Sequence, residues 1–416
     1  MRAFAYTDGQ LCAGGVALAD IAGRFGTPCY VYSRAAIEHN WKAYDSAFGQ
    51  RDHLICYAIK ANSSLAVINL LARLGSGFDV VSVGELERVL RAGGEADRIV
   101  FSGVGKREDE MQRALVTGIR CFNIESLSEL ERLNRVARGM NTVAPVAVRV
   151  NPGVDAATHP YIATGLEENK FGVPIDEALA VYRAADGMEA IMVTGVDCHI
   201  GSQITSIAPF SDAIGRLLPL IDAIEDLGIK LCHIDVGGGL GISYRDETPP
   251  APADLVGSVL QAVGDRPYRL ILEPGRSIIG SAGVLLARVE YIKRTPSKNF
   301  AIVDAAMNDL LRPALYQAWH DILPVREQPA AQAEKFDVVG PVCETGDFLG
   351  RDRELPLREG DLVAICSTGA YGFCMSSTYN SRPRACEVMV DGGTVHEIRR
   401  RETLDELMTG ESVLPA

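Results

Sequence analysis

Between residues 54 and 272 the chain alternates short apolar runs, rich in β-branched residues, with amphipathic segments, and few folds accept that pattern. The runs are Leu54 to Ile59, Phe78 to Ser82, Arg98 to Ser102, Cys121 to Ile124, Pro145 to Val150, Val193 to Ile200, Cys232 to Val236 and Arg269 to Leu272, eight in number. Between them lie segments such as Ser64 to Leu74, Gly84 to Ala92 and Ser126 to Ala137, whose apolar residues recur every three or four positions and so line one helical face. Strands separated by helices pair in parallel, because a parallel neighbour needs a crossover. An open doubly wound sheet and a closed (β/α)8 barrel both satisfy this alternation. The count of eight favours the barrel.

After about Gly283 the helical period disappears. Alternating apolar and polar runs replace it at Val284 to Tyr291, Phe300 to Val303, Phe336 to Val339, Leu362 to Ile365 and Ala385 to Val390, with Gly, Pro and charged turns between them. Phe4 to Leu11 reads as one more strand. The expected fold class is α/β: a (β/α)8 TIM-like barrel followed by a mainly β C-terminal domain that also takes the N-terminal strand. The expected boundaries are 25–283 for the barrel and 1–24 with 284–416 for the β-rich domain, and 416 residues give room for both.

A net charge of -13 argues against nucleic-acid binding and against docking on an anionic membrane, since both need clustered positive charge. The ten cysteines are scattered singly with no CxxC pair, the usage of reduced intracellular thiols. No apolar signal core opens the chain, and no run of about 18 apolar residues occurs, so the expected compartment is the cytoplasm.

Barrels of this kind carry their reactive groups at the C-terminal ends of the strands. Lys60 ends the first run, Asp79 lies in the second, Arg149 is near the end of the fifth and His199 near the end of the sixth. Gly237-Gly238-Gly239 follows the seventh and Glu273 the eighth, so six polar or glycine features converge on one rim. A lysine desolvated at a strand end becomes a nucleophilic amine able to form a Schiff base, although a snorkelling lysine would look the same in sequence. The run Asp235 to Gly241 offers unobstructed backbone N–H groups suited to a phosphate, or simply a tight turn. Its spacing Gly237-x-Gly239-x-Gly241 misses the dinucleotide fingerprint, but the loops after strands seven and eight of a barrel often hold phosphate. Glu273 could hold a pyridine nitrogen protonated, or form a salt bridge with Arg276 or Arg149. His199 could lie against a cofactor ring or be an ordinary core histidine. Cys198-His199 and Cys232-His233 lack zinc-ligand spacing, so no metal site is expected.

Lys60, His199, the glycine run and Glu273-Pro274-Gly275-Arg276, in that order, resemble the alanine-racemase-like, fold-type III pyridoxal-phosphate enzymes. The resemblance narrows to the diaminopimelate decarboxylases at His199-Ile200-Gly201-Ser202-Gln203-Ile204, Asn308 to Tyr316, Cys343-Glu344-Thr345-Gly346-Asp347 and Gly369-Ala370-Tyr371-Gly372. It covers about residues 25 to 400, and Thr345 departs from the serine expected after the Cys-Glu pair but keeps the hydroxyl.

The resemblance implies that Lys60 carries pyridoxal 5'-phosphate covalently, that His199 stacks on its ring, and that Glu273 pairs with the pyridinium. Asp79, Ser202, Gly237, Gly238, Gly239, Gly275, Arg276 and Tyr371 fall into the cofactor site. Arg276, Arg312, Tyr316, Glu344 and Tyr371 fall into the substrate site, with arginine forks suited to the distal carboxylate of meso-diaminopimelate. Cys343 is the candidate proton donor to the substrate carbon, with Lys60 as competitor. The segment Asn151 to Gly172, with His159, Gly165 and Lys170, is either a lid over the barrel mouth or a packed surface loop. The family resemblance also implies a homodimer in which the partner chain supplies Cys343 and Glu344. The competing expectations are a decarboxylase of ornithine, arginine or carboxynorspermidine, or a non-catalytic pyridoxal-phosphate carrier.

Overall fold

The computed structural model describes residues 3–155 and 169–415. His159 and Gly165 of the expected lid lie outside these residues. Eight parallel strands pair in chain order: His53–Ala58, Gly77–Val80, Ile99–Phe101, Cys121–Ile124, Ala144–Asn151, Ile191–Asp197, His233–Asp235 and Arg269–Leu272. The last returns to the first, with Leu270 beside His53 and Leu272 beside Ile55, so the sheet closes into a barrel. Closure removes both edges and decides between the two architectures the sequence allowed.

The helices begin where the strands stop because the turn residues cap them. Ser82 accepts the N–H of Glu85 at 3.2 Å to start Val83–Arg91, and Ser126 accepts that of Glu129 at 3.2 Å to start Leu127–Gly139. Each then buries one stripe, Leu86 and Val89 in the first and Leu130, Leu133, Val136 and Ala137 in the second.

Side chains two positions apart on a strand share a face, and this sets the barrel interior. Leu54, Cys56, Val100, Cys121, Ala147 and Ile271 pack into one apolar cluster. Two residues further along their strands stand Ala58, Ser102, Asn123, Arg149 and Glu273, all buried. Asp79, Asp197 and Asp235 are buried too, so the layer of residues toward the C-terminal end of the barrel is polar and buried. Gly195 is required here, since a Cβ on it would come 2.3 Å from Nε2 of His233, whose buried ring is held neutral with its pKa pushed down to about 3.

A buried lysine ties the third and fourth strand ends together. Lys106 Nζ donates to Glu129 Oε1 at 2.7 Å, to the Asn123 carbonyl at 2.7 Å and to the Gly103 carbonyl at 2.9 Å. Removing one member of such a pair leaves a buried charge, so Lys106→Ala is expected to cost about 3–5 kcal/mol in denaturant unfolding. Lys106→Met combined with Glu129→Leu, which removes both charges, should recover most of that loss.

The chain separates into two compact units, Asn40–Ser243 with Glu247–Ser277, and Met1–His39 with Tyr244–Asp246 and Ile278–Ala416. The second is mainly β. Its central strand, Gly283–Arg294, pairs with Cys29–Ser33, Asn299–Val303 and Leu362–Ile365 in a nine-stranded sheet that also contains Glu334–Val339, Phe348–Leu355, Cys386–Asp391 and Thr394–Arg399. Cys29–Ser33 does not alternate, because all five of its residues are buried.

The expected single strand Phe4 to Leu11 is instead a hairpin, Phe4–Thr7 with Gln10–Ala13. Asp8 and Gly9 turn it with φ of 49° and 74°, the left-handed pair that matches strand twist. Leu11, Ala13 and Leu18 pack into one cluster with Val31, Val284 and Val388, so the N-terminal strands join the β-rich unit. Among the described residues no helix is long and apolar enough to cross a membrane.

Candidate active site

Lys60 follows the first strand in a short 3₁₀ turn, Ile59–Ala61. Its Nζ donates to Asp79 Oδ2 at 2.5 Å, and the side chain remains one-third exposed beside a fully buried carboxylate. The lysine is therefore partly desolvated at the strand end and paired with a buried carboxylate.

His199 lies two residues beyond the sixth strand, which ends at Asp197 and not at Ile200. Its Nδ1 faces the N–H of Gly201 at 3.3 Å and accepts from it, leaving the ring proton on Nε2. Burial, with Arg149 and Lys60 nearby, holds its pKa well below 6.5. The ring is neutral and half-buried, as suits a plate against which an aromatic cofactor can lie.

Three inward carboxylates meet beneath this rim. One oxygen from each of Asp197, Asp235 and Glu273 lies within 4.8 Å of the others. Burial and mutual repulsion push Glu273 well above the usual carboxyl range, and burial pushes Asp235 up to about 7. Asp197 Oδ1, Asp235 Oδ2 and Asp79 Oδ1 make no hydrogen bond among the described residues. Such a cluster must share protons or receive a cationic donor.

Neither salt bridge considered for Glu273 is formed among the described residues. Arg149 pairs with Glu125 at 3.1 Å, and Arg276 donates to Ser202 Oγ at 2.8 Å. Glu125 also accepts the N–H groups of Gly103 at 2.9 Å and Gly172 at 3.0 Å, and so fastens the loops around Arg149. Asp197, Asp235, Asn123 and Glu125 are functional candidates that motif reading passed over. The alternation of the strands points to the first three, since each stands two residues beyond an inward Gly195, His233 or Cys121.

The glycine run divides between structure and ligand. Asp235 Oδ1 accepts the N–H of Gly237 at 2.9 Å, and Gly241 donates to Ile204 O at 2.9 Å. The N–H groups of Gly238, Gly239 and Gly275 donate to no acceptor among the described residues. A Cβ on Gly238 would sit 2.1 Å from Glu273 O, and one on Gly239 2.4 Å from Gly201 O. Glycine is thus demanded by close backbone approach, and the result is a set of backbone donors after strands seven and eight with no side chain in front of them, Gly238 and Gly275 buried and Gly239 half-buried.

In the β-rich unit Arg312 and Tyr316 begin and end one short helix, Arg312–Tyr316, and the four-residue spacing puts them on one face. Cys343, Glu344 and Thr345 are exposed on a turn. Asp347 holds that turn, accepting from Val342 N and Met307 N at 2.7 Å each, while Tyr379 donates to Glu344 Oε1 at 2.5 Å. Tyr371 occupies a left-handed backbone conformation, φ 55°, inside Gly369–Gly372.

The barrel groups fit pyridoxal phosphate: an amine for its aldehyde, a buried acid cluster with no salt bridge among the described residues for a pyridinium, a neutral ring to lie against, and backbone donors with Ser202 and Arg276 for a phosphate. A family profile described as the pyridoxal-binding domain of pyridoxal-dependent decarboxylases matches residues 34–280. Diaminopimelate decarboxylase of Pseudomonas aeruginosa is 60% identical over 415 residues, covering 100% of both chains. The crystal structure of diaminopimelate decarboxylase from Helicobacter pylori complexed with L-lysine superposes with a TM-score of 0.91 at 42% identity, covering 94% of this chain and 98% of that one. The enzyme of M. jannaschii in co-complex with L-lysine gives 0.94 at 38% identity, over 99% and 98%. A closed barrel with an amine, an acid cluster and a glycine cradle on one rim, in a chain matching these relatives end to end, places the protein in the diaminopimelate decarboxylase family of pyridoxal-dependent enzymes.

Proposed function

We propose that the chain removes one carboxylate from meso-2,6-diaminopimelate to give carbon dioxide and L-lysine, the last step of lysine biosynthesis. The observation that carries this reading is the full-length match to enzymes of that name, two of whose structural relatives hold L-lysine. Bound pyridoxal phosphate supplies an electron sink for the pair left on Cα when the carboxylate departs. Lys60 Nζ, oriented by Asp79, would be the amine that holds the cofactor through its aldehyde. Glu273 would keep the pyridine nitrogen protonated, and neutral His199 would supply a flat surface for the ring. Ser202, Arg276 and the amides of Gly238, Gly239 and Gly275 would hold the phosphate, with Gly237 fixed to Asp235 shaping the loop and Tyr371 contributing beside them. Cys343 returns a proton from Sγ to Cα, in competition with Lys60 Nζ.

Arg312, with Arg276, Tyr316, Tyr371 and Glu344, recognises the distal amino-acid centre, whose carboxylate and ammonium call for donors and an acid together. Arg312→Ala is expected to lower kcat/KM for meso-diaminopimelate by about 2–5 kcal/mol while leaving the visible absorption of the cofactor unchanged. An unaltered kcat/KM would take Arg312 out of the substrate site. Carbon dioxide release measured in parallel on ornithine, arginine and carboxynorspermidine tests the substrate assignment itself.

The active form is a homodimer with shared sites, each taking Lys60 from one chain and Cys343 and Glu344 from the other. Cys343 and Glu344 are rigidly held yet exposed on the single chain, which is how a group presented to a partner looks. In a mixture of Lys60→Ala and Glu344→Ala chains, each heterodimer has one site with both lesions and one with neither. Equal amounts, fully exchanged, should recover roughly a quarter of wild-type activity. Demonstrated exchange without recovery would sink the shared-site arrangement. The reaction belongs in the cytoplasm, a compartment supported by ten cysteines of which none is in a disulfide.

A further inference from the structure

Arg312 is held by two side chains that its motif does not contain. Its Nη1 donates to Tyr244 Oη at 2.7 Å and meets His320 Nε2 at 3.4 Å, while its Cζ lies 4.7 Å from the centroid of the Tyr244 ring. His320 packs edge-on against the same ring at 5.1 Å and 79°. Nδ1 of His320 is 2.8 Å from the carbonyl oxygen of Cys366. A carbonyl only accepts, so Nδ1 carries the proton and Nε2 turns a bare lone pair toward the guanidinium. Arg353 Nη2, stacked over Trp319, donates to the His320 carbonyl at 2.9 Å and fixes the backbone as well. Arg312, Tyr244 and His320 are all buried. Tyr244 belongs to the β-rich unit although it falls between the seventh and eighth barrel strands in sequence.

We infer that Tyr244 and His320 are specificity-determining positioning residues that set the plane of the Arg312 guanidinium for the distal carboxylate. This rests on the role given to Arg312 above. Both partners meet the guanidinium through acceptor atoms, a hydroxyl oxygen and a ring nitrogen, and not through a carboxylate, so they orient the fork without cancelling its charge, and an oriented fork donates bidentately to a carboxylate where a loose one would meet it through one contact. Because the plane is set before substrate arrives, the effect falls on binding and not on the steps at Cα.

A double-mutant cycle on the holoenzyme tests this. Tyr244→Phe keeps the ring and removes one acceptor. It should raise KM for meso-diaminopimelate about tenfold, the size of a lost hydrogen bond to a charged group, with kcat within about twofold and an unchanged cofactor spectrum. His320→Leu should act in the same direction, and His320→Gln, which keeps an acceptor near the Nε2 position, should restore most of the loss. In an Arg312→Ala background Tyr244→Phe should have no further effect. Equal effects of Tyr244→Phe in both backgrounds, or an unchanged KM, would overturn the positioning role while leaving the decarboxylase reading intact. A wild-type enzyme active only on amino acids without a distal carboxylate would overturn both.

Discussion

Lys60→Ala is expected to lower turnover by on the order of 10⁴-fold and to abolish covalent attachment of pyridoxal phosphate, read as loss of the visible band and of any borohydride-reducible link. Lys60 is the amine placed at the barrel rim by the 3₁₀ turn after the first strand, and Asp79 beneath it is fully buried. Alanine therefore does two things: it removes the nucleophile and leaves Asp79 uncompensated. Lys60→Arg separates them. Its guanidinium can remain beside Asp79 and support the fold, yet it cannot form the imine, so folding should recover and activity should not. A Lys60→Ala protein that still trapped the cofactor with borohydride would place the anchor on another lysine.

Glu273→Gln is expected to reduce kcat by about 10²–10³-fold, some 3–4 kcal/mol of transition-state stabilisation, because an amide cannot keep the pyridine nitrogen protonated. The same substitution should make the cofactor-free protein more stable. Its carboxyl is buried against Asp235, Asp79 and Asp197, and its folded pKa is raised well above the ordinary value. A carboxyl raised on folding contributes stability that is present below its unfolded pKa, about 4.3, and lost as pH rises through the folded value. At pH 8 the cofactor-free wild type carries that loss and the glutamine variant does not. The variant should melt at the higher temperature there, with the gap closing as pH falls toward 4. Opposite signs in the two assays, stabilised without cofactor and impaired with it, identify an acid kept for a cationic ligand. A cofactor-free variant less stable than wild type at pH 8 would give Glu273 a structural role instead.

Strands whose apolar residues face a layer on each side can be read directly. Cys121–Ile124, Arg269–Leu272 and Leu362–Ile365 are legible to the residue, because Gly, Pro or polar turns bound them. Cys29–Ser33 is buried along its whole length and sits among helical segments, so it offers no period of its own. The Asp8-Gly9 turn was the missed signal within Phe4 to Leu11, since two consecutive left-handed residues fold a strand back on itself.

The sequence by itself determined the order of eight strands and helices, the change to β texture after residue 283, and the placement of Lys60, His199, the glycine run and Glu273 at strand ends. These are local facts, written in the period of burial along the chain. Only the tertiary structure decided which polar groups meet: Lys60 with Asp79, Arg149 with Glu125, Glu273 with Asp197 and Asp235, and Arg312 with Tyr244 and His320. Residues such as Asp197 and Glu273 come from strands far apart in sequence, and barrel closure is what turns their inward faces toward one point. Periodicity reports that a side chain is buried, while its partner depends on where the other strands stand around the ring.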